Sequence, residues 1–206
     1  MSNLKFDPHG HVYTLRNEDG TEWRRLPSVT EIIKSVGLIN FTGIDSEILS
    51  RAADFGTAAH QACHLDDLGD LDEQSLDENL KPYLKAWRAF KGDMVFDAIE
   101  QPLYHPVWGF AGTPDRIKEN TIWDLKTGTT VYPSTAIQLA GYAILADIPT
   151  ARRLAVQLLP TGKFKVTEYT DRKDREIFLA ALAVYKWHQI VYFTKTSASL
   201  PQKMQK

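Results

Sequence analysis

Residues 109–126 read Gly-Phe-Ala-Gly-Thr-Pro-Asp-Arg-Ile, then Lys-Glu-Asn, then Thr-Ile-Trp-Asp-Leu-Lys. Two extended runs joined by a short polar turn predict an antiparallel hairpin over 109–117 and 121–125. Side chains alternate faces along a strand, so Asp124 and Lys126 point one way while Leu125 enters a core. Asp115 on the partner run then faces both. Two carboxylates and an amine converge on one spot.

Such convergence constrains the chemistry. Two like charges a few ångströms apart raise each other's pKa and resist ionisation unless a cation joins them. Oxygen ligands without a thiolate favour Mg²⁺ or Mn²⁺, which can hold a phosphate, lower the pKa of a bound water and stabilise developing charge. Lys126 adds a positive point charge that can orient or activate the water, or neutralise a pentavalent phosphate.

The flanking segments supply further candidates. Residues 95–104 are expected to form a strand ahead of the hairpin, bringing Glu100 within reach as a third carboxylate and turning Asp97 to the opposite face. Residues 134–146 have helical composition, with Ser134 or Thr135 as N-cap, so Gln138 and Tyr142, four apart, share a face. A helix starting near Asp45 or Ser46 carries Ala52, Gly56, Ala59 and Cys63 as a stripe of small residues, which lets it approach a sheet and bring His60 to the carboxylates. His64 reads as a surface residue, since a structural zinc site needs four ligands and no cysteine partners Cys63.

The ordered set Gly56-x-x-x-His60, Glu100, Gly112-x-x-Asp115, Asp124-x-Lys126 and Gln138-x-x-x-Tyr142 resembles the PD-(D/E)xK nuclease superfamily. The similarity is to the branch with the RecB nuclease domain, lambda exonuclease, the CRISPR adaptation nucleases and the mitochondrial genome maintenance exonuclease. Pro27-Ser28-Val29-Thr30 also resembles the entry segment of the mitochondrial type. The resemblance implies that His60, Asp115 and Asp124 ligate metal, with the Leu125 carbonyl as a further ligand and Glu100 holding a second ion or its water. It makes Lys126 the catalytic lysine and gives Gln138 and Tyr142 the positioning of a DNA phosphate or the attacking water. It implies two ions, Mg²⁺ or Mn²⁺, and, with one cysteine, no iron–sulfur cluster. Relatives often carry Arg where this chain has Phe55.

The expected fold is mixed α/β (α+β). A restriction-endonuclease-like core has a mixed central sheet flanked by helices, preceded by a β-hairpin over 11–16 and 21–26 whose turn, Asn17–Gly20, contains Asp-Gly. A short helix capped by Ser28 or Thr30 ends near Gly37. After an acidic connection over 66–78, read as solvated or as an arch over the site, come a helix over 82–91, a strand with Leu154, Val156 and Leu158 buried, a return strand over 163–169 and an amphipathic helix over 172–193. The chain reads as one domain: an extension over 1–45, a core over 46–193 and a polar tail over 194–206.

With 43% hydrophobic content and a net charge of −2, the chain can bury a core but is not a basic coat for nucleic acid. A groove can still carry local positive charge, with Arg24, Arg25, Lys34, Lys81, Lys85, Arg88 and Lys91 as candidates. A single cysteine and a start without an apolar core suggest the cytoplasm, or a host's cytoplasm for a phage protein. The resulting expectation is a metal-dependent DNA exonuclease, acting on single strands or free ends in phage or bacterial recombination or repair, away from membranes. An endonuclease, a DNA-end-binding module and a subunit that needs a recombination or annealing partner are the alternatives. RNA as substrate stays open.

Overall fold

In the computed structural model, which describes residues 3–8, 10–17 and 19–198, a five-stranded mixed sheet forms the centre. Its order is β10 (Phe164–Tyr169), β9 (Arg152–Leu158), β8 (Thr121–Lys126), β7 (Arg116–Lys118) and β4 (Ala98–Ile99). Only β8 and β9 run parallel, because α4 (Ser134–Leu145) carries the chain back between them. A three-stranded antiparallel sheet of β1 (Leu4–Asp7), β2 (Val12–Arg16) and β3 (Trp23–Leu26) precedes it, and β5 (Leu103–His105) pairs with β6 (Phe110–Gly112). The fold is thus the mixed α/β arrangement expected, and the expected N-terminal hairpin is present as β2–β3, with β1 added as a third strand. The alternating polar and apolar β1 sequence, Leu-Lys-Phe-Asp, is the signal that the hairpin expectation passed over.

Strand parity sorts the core. Ile122 packs on one face with α1 (Val29–Ser35), α4 and α5 (Lys173–Ala198), among Ile33, Leu139, Phe178 and Leu182. Trp123, Leu125, Val156 and Leu158 pack on the other with Cys63 of α2 (Ser46–Leu68) and Leu84 and Trp87 of α3 (Lys81–Lys91). Asp124 falls on the α4 side. Close helix packing there depends on Gly141, where an added Cβ would stand 2.7 Å from Phe178 and 2.9 Å from Val29.

Several boundaries differ from expectation. The run 109–117 is not one strand: Thr113, Pro114 and Asp115 interrupt it, since proline has no N–H to give a ladder. Its first part pairs with β5 and its second with β8 and β4. The run 95–104 likewise divides, because Glu100 takes a positive φ of 46° and Pro102 follows. Ser134 and Thr135 do not cap α4; Pro133 occupies that position and no side chain bonds the free N–H groups. By contrast Ser28 accepts from the Glu31 N–H, and Asp45 from the Glu47 N–H, as N-caps should. Ala52 is exposed: α2 spans 23 residues, and only Ala59, Ala62 and Cys63 are buried in it. α5 runs through Ala198, past the expected start of the tail, while Glu18 of the first turn and residues 199–206 lie outside the described residues. Among the described residues no helix is long and apolar enough to cross a membrane.

Candidate active site

The C-terminal end of β8 is the meeting point. Leu125 is anchored in the α2–α3 core, which fixes Asp124 and Lys126 on the opposite face. Asp115 sits where the chain leaves the Pro114 break, and its Oδ2 accepts the Leu125 N–H at 2.6 Å. His60 crosses from α2, placing Nε2 3.1 Å from the Leu125 carbonyl and Nδ1 3.4 Å from Asp115 Oδ1. Lys126 Nζ lies 2.7 Å from Asp124 Oδ2 and donates to Gln138 Oε1 at 3.2 Å. Gln138 Nε2 in turn donates to the Tyr142 hydroxyl at 3.0 Å. The structure therefore brings His60, Asp115, Asp124, Leu125, Lys126, Gln138 and Tyr142 into one contiguous set.

Charge within this set is strongly biased. Burial pushes the Asp124 carboxyl above its ordinary pKa, and neighbouring Asp115 adds to the rise against the pull of Lys126. Burial would raise Asp115 too, but His60, Lys126 and the Leu125 N–H together hold it below the usual range. Burial alone would lower His60; the adjacent Asp115 carboxylate outweighs it and the imidazole is raised. The same holds for Lys126, where Asp124 and Asp115 overcome burial and keep the ammonium charged. Burial and the nearby carboxylates keep the Tyr142 phenol neutral, well above its usual value.

These residues fit a hard divalent cation by their chemistry. Asp124 Oδ2 is buried, and Lys126 Nζ at 2.7 Å is the cation already drawn to it. Two carboxylates and a carbonyl are oxygen ligands such an ion accepts. Among the described residues no three His, Cys, Asp or Glu side chains stand together as a group that could hold a metal ion.

Glu100 stands apart. Its N–H donates to the Asp115 carbonyl at 2.9 Å, yet its carboxylate turns to Arg116 Nη1 at 3.3 Å and His64 Nδ1 at 3.4 Å. His64 is half-buried there, not on the surface as its isolated sequence position suggested.

Arg116 was invisible as a site-supporting residue. It is fully buried, donates to Asp67 Oδ2 at 2.6 Å and to the Asp115 carbonyl at 2.6 Å, and lies 5.2 Å over the Trp87 ring. It ties the end of α2 to the strand that carries Asp115. Its place directly after Asp115 hinted at burial by parity, but its partner lies 49 residues away. The same network corrects two expectations. Asp66 and Asp67 are neither solvated nor part of an arch, because they neutralise Arg88, Lys91 and Arg116. Lys91, largely buried, and Arg88 pair with Asp66, whereas Lys81 on Glu78 and Arg25 on Glu31 form only exposed surface pairs.

Among solved structures, the crystal structure of an alkaline exonuclease from Laribacter hongkongensis is similar to this chain over 85% of its length and 95% of the other's. Sequence identity is 14% and the TM-score 0.44. No family model matches the sequence, and no curated protein does.

Beside the set lies a groove of about 610 Å³ whose floor and walls include His60, Leu125, Lys126 and Gln138. The site therefore opens onto a space of ligand size, in the range of roughly 300–1,000 Å³ usual for such pockets.

Proposed function

We propose that this chain is a metal-dependent deoxyribonuclease that hydrolyses phosphodiester bonds from DNA ends. The observation that carries the reading is the meeting of Asp115, Asp124, Lys126 and His60 at the end of β8, with Gln138 and Tyr142 joined to Lys126. Asp115, Asp124, His60 and the Leu125 carbonyl would hold a divalent ion, while the Glu100 carboxylate, turned to Arg116 and His64, is left out of that set. Bound Mg²⁺ or Mn²⁺ would supply Lewis acidity toward the phosphate and a water of lowered pKa.

The protein groups have separate tasks. Lys126, held charged by two carboxylates, suits neutralising the phosphate more than removing a proton from water. Gln138 fixes the Lys126 amine by accepting one of its hydrogens. Tyr142, kept neutral, completes the positioning chain through Gln138. His60 ties the β8 end to α2 through the Leu125 carbonyl and Asp115.

We further assign residues 1–206 to one nuclease domain acting on single-stranded DNA or free ends in phage or bacterial recombination or repair, in the cytoplasm, with or without an annealing partner. Digestion of end-labelled linear single strands, linear duplex and closed single-stranded circles with Mg²⁺, Mn²⁺ or EDTA tests this. Metal-dependent loss of linear DNA, with circles spared and Asp124→Asn and Lys126→Ala inert, is the expected result. Cut circles would make the enzyme an endonuclease. Absence of cleavage by the folded protein, alone and with an annealing protein, would overturn the reading.

A further inference from the structure

The groove beside Lys126 is lined by site residues and also by Lys34, Phe41 and Tyr132, which have no part in the cleavage step. Its lining contains Lys34, Lys126 and His60 and no carboxylate, in a chain whose net charge is −2. Lys34, in the last turn of α1, has no ion pair among the described residues. Phe41, from the α1–α2 connection, and Tyr132, from the β8–α4 connection, meet edge to face across it at 5.9 Å. Both rings are more than a third exposed, at 38% and 44%, and neither belongs to the packed core. Gly56 of α2 also lines it, and a Cβ there would meet only Thr127, at an ordinary contact distance of 3.6 Å.

Exposed aromatic faces beside an unpaired ammonium suit one ligand above others. An edge-to-face pair leaves ring surface free for a flat heterocycle, while Lys34 suits an anionic linkage. In duplex DNA the faces of internal bases are covered by their neighbours, so only an unstacked base can use these rings.

We propose that this groove binds the unpaired terminal nucleotide of a single strand, its base stacked on Phe41 or Tyr132 and its phosphate drawn by Lys34, and so selects single-stranded ends. The proposal rests on the nuclease reading and deepens it. It makes Phe41, Tyr132 and Lys34 determinants of specificity and not of the bond-breaking step.

The test uses the full chain carrying Asp124→Asn, so that a probe survives in Mg²⁺. Anisotropy measures binding of fluorescent oligothymidylate, intact or with an abasic nucleotide at one end or the other. Loss of the terminal base at one end should weaken binding roughly fivefold to hundredfold, the range of one base–aromatic stack. Phe41→Ala and Tyr132→Ala, tested separately, should weaken the intact probe and leave the abasic probe nearly unchanged. Both rings are exposed, so either variant should keep its melting temperature, and the abasic probe requires no further substitution. Lys34→Ala should reduce the salt dependence for both probes alike.

Equal affinity for intact and abasic probes overturns the proposal, as do fully additive losses in the aromatic variants, or an equal loss on blunt duplex. Should the unsubstituted enzyme cleave DNA while these results appear, the nuclease reading stands and only the stacking site falls. Should there be neither cleavage nor binding, both fall.

Discussion

Replacing Arg116 by Met tests the network that holds Asp115 in place. Met preserves much of the apolar volume beside the stacked Trp87 and Phe96 rings, so little of the loss should come from a cavity. What disappears is the guanidinium, which donates to Asp67 Oδ2 at 2.6 Å and to the Asp115 carbonyl at 2.6 Å. Removing one partner of a buried pair costs about 3–5 kcal/mol. The lower end applies, because Asp67 keeps Lys91 at 2.8 Å and the Trp87 N–H at 2.9 Å. Adding about 1 kcal/mol for the Asp115 carbonyl bond gives a total near 4 kcal/mol. For a chain of this size that lowers the melting temperature by roughly 8–16 °C. Urea unfolding of the parent, Arg116→Met, Asp67→Asn and the double variant measures it, with the double variant falling short of additivity by about 2 kcal/mol. A loss below about 1 kcal/mol, or simple additivity, would refute the argument that this pair joins α2 to the Asp115 strand.

Two further outcomes follow from packing and charge. Gly141→Ala should destabilise by about 1–3 kcal/mol despite the better helix propensity of alanine, because its methyl meets Phe178 and Val29; a stabilised variant in thermal melts would contradict the packing. Burial would raise the Asp66 carboxyl, but Lys91 and Arg88 overcome it and hold the pKa below the ordinary range. Its contribution is therefore present above the unfolded value of about 3.9 and is lost as pH falls toward the folded one. The penalty of Asp66→Asn in denaturant titrations should shrink below about pH 4, and a penalty constant from about pH 6 to 2.5 would refute it.

Local signals were legible where the physics is local. Ser28 and Asp45 mark helix starts because a side-chain oxygen satisfies N–H groups two or three residues on. The pairing of β7 with β8 follows from their short turn and alternation. The pairing of Gln138 with Tyr142 follows from one helical turn of spacing. Signals that depend on distant partners failed in both directions. The cations nominated for a groove included Arg88 and Lys91, whose acidic partners sit at the end of another helix. In the acidic run, Asp66 and Asp67 read as solvated until α3 and β7 are packed against them, whereas Asp70, Asp72, Glu73, Asp77 and Glu78 are exposed as expected. The two strands that were expected to be continuous divide at Pro114 and near Glu100, where single residues alter the backbone locally.

By itself the sequence determined the alternation that sends Leu125 to one face of β8 and Asp124 and Lys126 to the other, and the helices that carry His60 and Gln138. Those are consequences of period, which acts over a few residues. Only the tertiary structure decided the charge state and surroundings of the site: that Asp115 and Asp124 are shifted in opposite directions, that Arg116 stands buried behind Asp115, and that Phe41 meets Tyr132 over a groove without acids. Burial and Coulomb interactions depend on which groups meet across long stretches of chain, and that information exists only once the layers have packed.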